Sequence, residues 1–186
     1  MTVAGPVKTE MLKAIPSLRA FAISLCGNSD GADDLVQETL VKAWANIGSF
    51  TEGSNMPAWL FTILRNVFYS QYRKRRREVD DPEGEYASKL ASAPDQHSHM
   101  EFMDLKAALQ KLPADQREAL ILVGASGLSY EDAASICGCA IGTMKSRVNR
   151  ARGRLAELLS LAPGDGYGAD ARWSAAIDHQ LLAVNE

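Results

Sequence analysis

The sequence predicts an all-α protein: two small helical domains joined by an acidic linker. Apolar residues recur three and four apart along most of the chain, and no alternating run exceeds a few residues. Charge is also segregated. Of 20 Lys and Arg residues, six fall between Arg65 and Arg77 and five between Lys145 and Arg154, with no acid in either stretch. The stretch Glu78 to Met100 holds six acids and one base. The average, a net charge of -3 and a hydrophobic content of 46% in 186 residues, describes an ordinary soluble chain and conceals this division.

In the first helix Leu12, Ile15, Leu18, Ala22 and Leu25 give one stripe, and Gly27-Asn28 ends it. A second helix begins near Asp30 to Asp33, where acids complement the positive end of the helix dipole. Its inner stripe is Val36, Leu40, Ala43 and Ile47. Gly48 to Asn55 is a polar loop, and Pro57 suits the first turn of a third helix. That helix runs through Leu60, Ile63, Leu64, Val67 and Phe68 into the basic cluster. The acidic stretch contains Pro82, Gly84 and Pro94 without a sustained stripe, so it reads as a linker. Phe102, Leu105, Leu109 and Leu112 form the next helix, stopped by Pro113. Ala119, Leu120 and Val123 mark another, ended by Gly124 to Gly127. The domains are placed at 8–77 and 101–161, with the linker at 78–100 and an extension at 162–186.

The run from Ser129 to Arg152 carries the pattern of a DNA-reading helix-turn-helix. Ser129 and Asp132 resemble a capping box. Ala134 is small where two helices cross closely, Gly138 supplies the turn, and Met144 returns to the core. The last helix keeps Met144, Val148, Ala151, Leu155 and Leu158 inward. At about 100° per residue its opposite side presents Thr143, Ser146, Asn149, Arg150 and Gly153, flanked by Lys145, Arg147, Arg152 and Arg154. Arg and Asn read base edges by paired hydrogen bonds, and Lys and Ser commonly hold phosphates. A solvated cationic face on an ordinary hairpin is the bland alternative; the turn glycine, the small residue and the absence of acids favour DNA. Trp59 to Arg77 interleaves aromatic residues with cations, as single-stranded nucleic acid requires, although Trp59, Phe61 and Phe68 also suit a bundle core.

Other classes are set aside. The longest uncharged apolar-rich run, Ala119 to Tyr130, is far short of the ~20 residues of a membrane span. Charges at Lys8, Glu10, Lys13 and Arg19 do not suit a secretory signal. Cys26, Cys137 and Cys139 suggest a reducing cytosol. Cys137, Cys139, His97 and His99 lack paired metal-ligand spacing, so no metal or other cofactor is expected. No nucleophile–base pair, phosphate loop or carboxylate pair with catalytic spacing points to an enzyme.

The order Asp33-Asp34-Leu35-Val36-Gln37-Glu38-Thr39, Ala58-Trp59-Leu60-Phe61, Arg65-Asn66, Leu112-Pro113 and Gly142-Thr143-Met144-Lys145-Ser146-Arg147 resembles extracytoplasmic-function sigma factors over roughly residues 8 to 160. These are two-domain specificity subunits of bacterial RNA polymerase. The chain further resembles their alphaproteobacterial general-stress-response branch. The resemblance implies a cytoplasmic transcription-initiation subunit that binds core polymerase through the β′ clamp and β flap, binds promoter DNA, has no membrane association and is held inactive by an anti-sigma protein. It implies that Asp33, Asp34, Leu35, Val36, Gln37 and Glu38 dock on polymerase, with Leu35 and Val36 serving either dock or core. It implies a pocket for a flipped −10 base at Asn46, Phe50 and Asn66. Thr143, Lys145, Ser146, Arg147, Asn149 and Arg150 would read the −35 element. Arg73 to Arg77 would lie on phosphate or be plain solvated charge. Rival readings are a dimeric helix-turn-helix repressor, which leaves Asp33 to Glu38 unexplained, and a sigma-like decoy, which ought to lack the basic recognition face. Trp173, Ile177 and Leu181 in the extension suit a docking partner.

Overall fold

The first half of the chain buries its apolar stripes by stacking three helices on one another. The computed structural model describes residues 5–78, 105 and 107–159. Helix α1 spans Gly5–Cys26, α2 Ser29–Ala45 and α3 Met56–Glu78; each packs against the other two. A short 3-10 turn, Ile47–Ser49, leads out of α2. Asn28 caps α2 by accepting from the Gly31 amide at 2.7 Å, and Gly27 adopts φ 78 between α1 and α2. Leu18, Phe21, Leu35, Leu60, Phe61 and Leu64 are fully buried, and the Phe21 and Phe61 rings meet edge to face at 5.3 Å.

Two inner faces differ from the sequence expectation. The α1 stripe runs through Val7, Met11, Ala14, Leu18 and Phe21, and Leu12 is 55% exposed. Met11 lies one position earlier on the stripe that leads to Leu18, which turns Leu12 outward by about 100°. In the last helix Leu158 is exposed too, because the buried series ends at Leu155.

The second half begins with helical residues at 107–110, where Ala108 is buried, and Leu112 is buried just after them. Pro113 precedes α4, Ala114–Leu120, which continues as one π-helical turn, Ile121–Ala125. The Ser126 amide donates to the Ile121 carbonyl at 2.9 Å across that wider turn. Helix α5, Tyr130–Cys137, and α6, Ile141–Leu158, form the helix-turn-helix, with α4 packed against α6. The Ser129 hydroxyl accepts from the Asp132 amide at 3.0 Å, which closes the capping interaction. Gly138 takes the left-handed conformation at φ 64, and the Cys139 amide donates to the Ala134 carbonyl at 3.0 Å. Among the described residues there is no strand. The two halves touch: α3 packs against α5, and α1 packs against α4 and the π turn. Most of the linker, the extension with Trp173, Ile177 and Leu181, and His97 and His99 lie outside the described residues.

Candidate nucleic-acid interface

Helices α2 and α3 cross so that polar side chains from both ring an open cleft of about 520 Å³. Lys42, Asn46 and Ser49 line it from the α2 side, and Trp59, Ile63, Asn66, Ser70 and Arg73 line it from α3. The α3 spacing of three and four places those side chains on one face. The cleft combines an indole, two amides, hydroxyls and two cations, a set whose chemistry suits the flat face, the polar edge and the phosphate of a nucleotide. Asn46 and Asn66, expected from the sequence, are both in its wall. Phe50 is not among the lining residues: its ring packs on Trp59 at 5.2 Å and backs the indole instead. The sequence reading did not single out Lys42 or Ser70, and it placed Ile63 on the apolar stripe of the third helix; their signal was the helical register they share with Asn46 or Asn66.

Glu38 ties the cleft to the outer face of α2. Its carboxylate pairs with Lys42 at 2.8 Å and accepts from the Gln71 side-chain amide at 2.5 Å. Lys42 and then Gln71 hold the Glu38 carboxyl below the ordinary range. Asp33 pairs with Arg19 of α1 at 2.6 Å, a contact that lowers the Asp33 pKa and raises that of Arg19. Leu35 and Val36 belong to the core, at 1% and 6% exposure, so they hold α2 in place from behind. Asp34 and Gln37 are exposed, and Val41 and Trp44 follow them on the same face, 64% and 49% exposed. These two apolar residues were missed in the sequence, although the intervals 34, 37, 41 and 44 mark one helical stripe.

Helix α6 presents Thr143, Lys145, Ser146, Asn149 and Arg150 to solvent, with Met144, Val148, Ala151 and Leu155 buried behind them. The Lys145 ammonium lies 5.7 Å from the Tyr130 ring centre, at the edge of a cation–π contact. Arg147 is turned aside: its Nε sits 3.1 Å from Asp115 of α4 and the residue is half-buried. At the end of α3, Arg73, Lys74, Arg75 and Arg77 are exposed, continuing the cationic surface from the cleft. Among the described residues there is no group of three metal-ligating side chains, and no helix is long and apolar enough to cross a membrane.

A helix-turn-helix with an acid-free outer face, beside a bundle bearing a polar–aromatic cleft, defines a two-module nucleic-acid-binding protein. The comparisons give that class a family. Residues 12–78 match sigma-70 region 2 and residues 102–155 match sigma-70 region 4. The chain is 65% identical over 170 residues to the ECF RNA polymerase sigma factor EcfG of Rhodopseudomonas palustris, covering 91% of this chain and 94% of that one. It matches the sigma factor RpoE of Bartonella quintana, solved with the anti-sigma factor NepR, at 62% identity and a TM-score of 0.75, over 83% of this chain and 96% of that one. CnrH, solved with the cytosolic domain of CnrY, matches at 27% identity and a TM-score of 0.62, over 83% and 87% of the two chains. The protein belongs to the extracytoplasmic-function sigma factors and falls in the alphaproteobacterial general-stress-response branch.

Proposed function

We propose that this sigma factor divides promoter recognition among three surfaces. The outer face of α2, from Asp34 and Gln37 to Val41 and Trp44, docks on the β′ clamp of core polymerase. Acidic and amide groups complement a basic partner and set register, and the two apolar residues supply area that leaves water on docking. Asp33 and Glu38 contribute at the margin of this face, because each is already paired within the fold. The cleft between α2 and α3 holds a base flipped out of the melted −10 element. Removing a base from the stack costs a few kcal/mol, so walls already in place at Trp59, Asn46 and Asn66 favour capture. Helix α6 reads the −35 element through Thr143, Lys145, Ser146, Asn149 and Arg150, with Arg147 bridging to Asp115 at the edge. Region 4 meets the β flap. The polymerase performs the chemistry, in the cytoplasm, and this chain performs none.

An anti-sigma protein holds the factor inactive until stress releases it. That reading is supported by relatives solved with NepR and with CnrY. The observation carrying the promoter reading is the cleft, which assembles residues from α2 and α3 into one polar–aromatic site. Its test is transcription by purified core polymerase from a two-element promoter. Asn66→Ala should abolish strand opening yet retain core binding. Lys145→Ala with Arg150→Ala should weaken duplex recognition alone. Asp34→Lys should weaken core binding alone. Loss of the same step in all three variants would overturn this division of labour.

A further inference from the structure

At the junction of the two domains the fold buries a carboxylate. Glu118 of α4 is 2% exposed and is met by Arg65 of α3, whose Nε donates to Oε2 at 3.0 Å. The Tyr69 hydroxyl, one turn along α3, donates to the other oxygen, Oε1. The Arg65 guanidinium lies 4.6 Å from the Tyr69 ring centre, so cation and ring are held as a pair. Neither α3 residue lines the cleft, yet Arg65 adjoins Asn66 and Tyr69 adjoins Ser70, both of which do.

A guanidinium N–H and a hydroxyl, aimed at two oxygens of one anion, are a recognition unit for phosphate as much as for carboxylate. We propose that Arg65 and Tyr69 form a site for a backbone phosphate of single-stranded promoter DNA, and that Glu118 occupies this site when the domains are closed. The proposal rests on reading the cleft as the −10 site, because the phosphate bound here belongs to the strand whose base the cleft takes. Closure and promoter binding exclude each other on length alone. Elements about 25 base pairs apart are separated by roughly 85 Å along B-form DNA at 3.4 Å per pair. A packed body of about 130 residues has a radius of gyration of only ~14 Å. Reading both elements therefore separates the domains, withdraws Glu118 and uncovers Arg65 and Tyr69 beside the melted strand. The carboxylate acts as an internal stand-in for the ligand: it neutralises a DNA-binding cation in the free factor and leaves it available in the open one.

Fluorescence anisotropy with a labelled 12-nucleotide single-stranded oligothymidylate, titrated across potassium chloride concentrations, tests this on the full chain. Glu118→Gln should bind about tenfold tighter than the unaltered protein, as expected for one regained charged hydrogen bond. Its plot of log affinity against log salt should be steeper by ~0.7, the value for one added phosphate contact on a single strand. Adding Arg65→Ala to Glu118→Gln should cancel both gains. If the double variant binds as tightly as Glu118→Gln, or if Glu118→Gln gains nothing, the phosphate site does not exist. Should Glu118→Gln fail to fold, Tyr69→Phe in the holoenzyme replaces it. Promoter affinity should then fall severalfold with core affinity unchanged, and equal promoter affinity overturns the proposal. Asn66→Ala separates the two readings: loss there without dependence on Arg65 retains the cleft and removes the phosphate site. Dependence on Arg65 without loss at Asn66 does the reverse.

Discussion

Cys137 lies on α5 with its sulfur 3.8 Å from a Glu118 carboxylate oxygen. Burial first, and the Glu118 charge second, push its thiol pKa from 9.0 up to about 11. Alkylation by iodoacetamide reads this directly, because only the thiolate reacts. At pH 9 a thiol of pKa 9.0 is half ionised, and one of pKa about 11 is ionised to 1/(1 + 10²), about 1%. Cys137 in the folded chain should therefore be modified roughly 50-fold more slowly than in the chain unfolded in urea. Quenched time points, digested and weighed by mass spectrometry, give the rate for each cysteine. Glu118→Gln should speed Cys137 by removing the second cause while leaving burial in place. The sign for stability follows: the folded state holds the proton more tightly, so this contribution is complete below pH 9 and is lost as pH rises from 9 to about 11. Alkylation of Cys137 at the unfolded rate in the native protein would refute both the raised pKa and the closed junction that produces it.

Three further outcomes are open to measurement. Gly138→Ala meets nothing within 4 Å but must still adopt φ 64, so it should cost about 1–2 kcal/mol, seen as a lower denaturant midpoint at unchanged slope. Leu35→Ala, at a site only 1% exposed, should cost about 2–5 kcal/mol, while Asp34→Lys on the same helix should change stability by no more than ~0.5 kcal/mol. Equal stability loss in that pair of variants would mean that α2 is oriented differently. The Asp33 carboxyl is held below its ordinary 3.8 by Arg19, so its contribution is present above that pH and is lost as pH falls further. The pair is exposed, so Asp33→Asn should remove less than ~1 kcal/mol at neutral pH, with the difference vanishing in acid.

Much of this was legible in the residues, for reasons that differ by feature. The helix-turn-helix was legible because Ser129, Ala134, Gly138 and Met144 act locally: a cap, a close crossing, a left-handed turn and a core return are set within sixteen residues. Asn46 and Asn66 are named from the family resemblance alone, and their meeting in one cleft depends on the α2–α3 crossing, which neither residue signals locally. Leu35 and Val36 stayed ambiguous in the sequence because an apolar residue beside a docking face looks the same whether it points in or out; packing on α1 and α3 decides for the core. Leu12 was misplaced because one register error of a single residue rotates a side chain by about 100°. Arg147 shares the cationic face of the last helix in the sequence, and its contact with Asp115 is set by the packing of α4 on α6, which no local pattern announces. Glu118 gave no local signal at all: its partners lie 53 and 49 residues away, beyond any helical repeat.

That distance bears on how freely the two halves of such a factor can be exchanged. A region 4 transplanted onto this region 2 without an acid at the position of Glu118 would leave Arg65 and Tyr69 facing an apolar or unmatched surface. The graft would close poorly, whatever promoter element its recognition helix preferred. A graft with the acid but set against a region 2 lacking the arginine would bury an unpaired carboxylate, the costlier error of the two. The closed free form thus survives exchange only when the two modules come as a matched pair, and chimeras meant to keep it should take residues 65, 69 and 118 together.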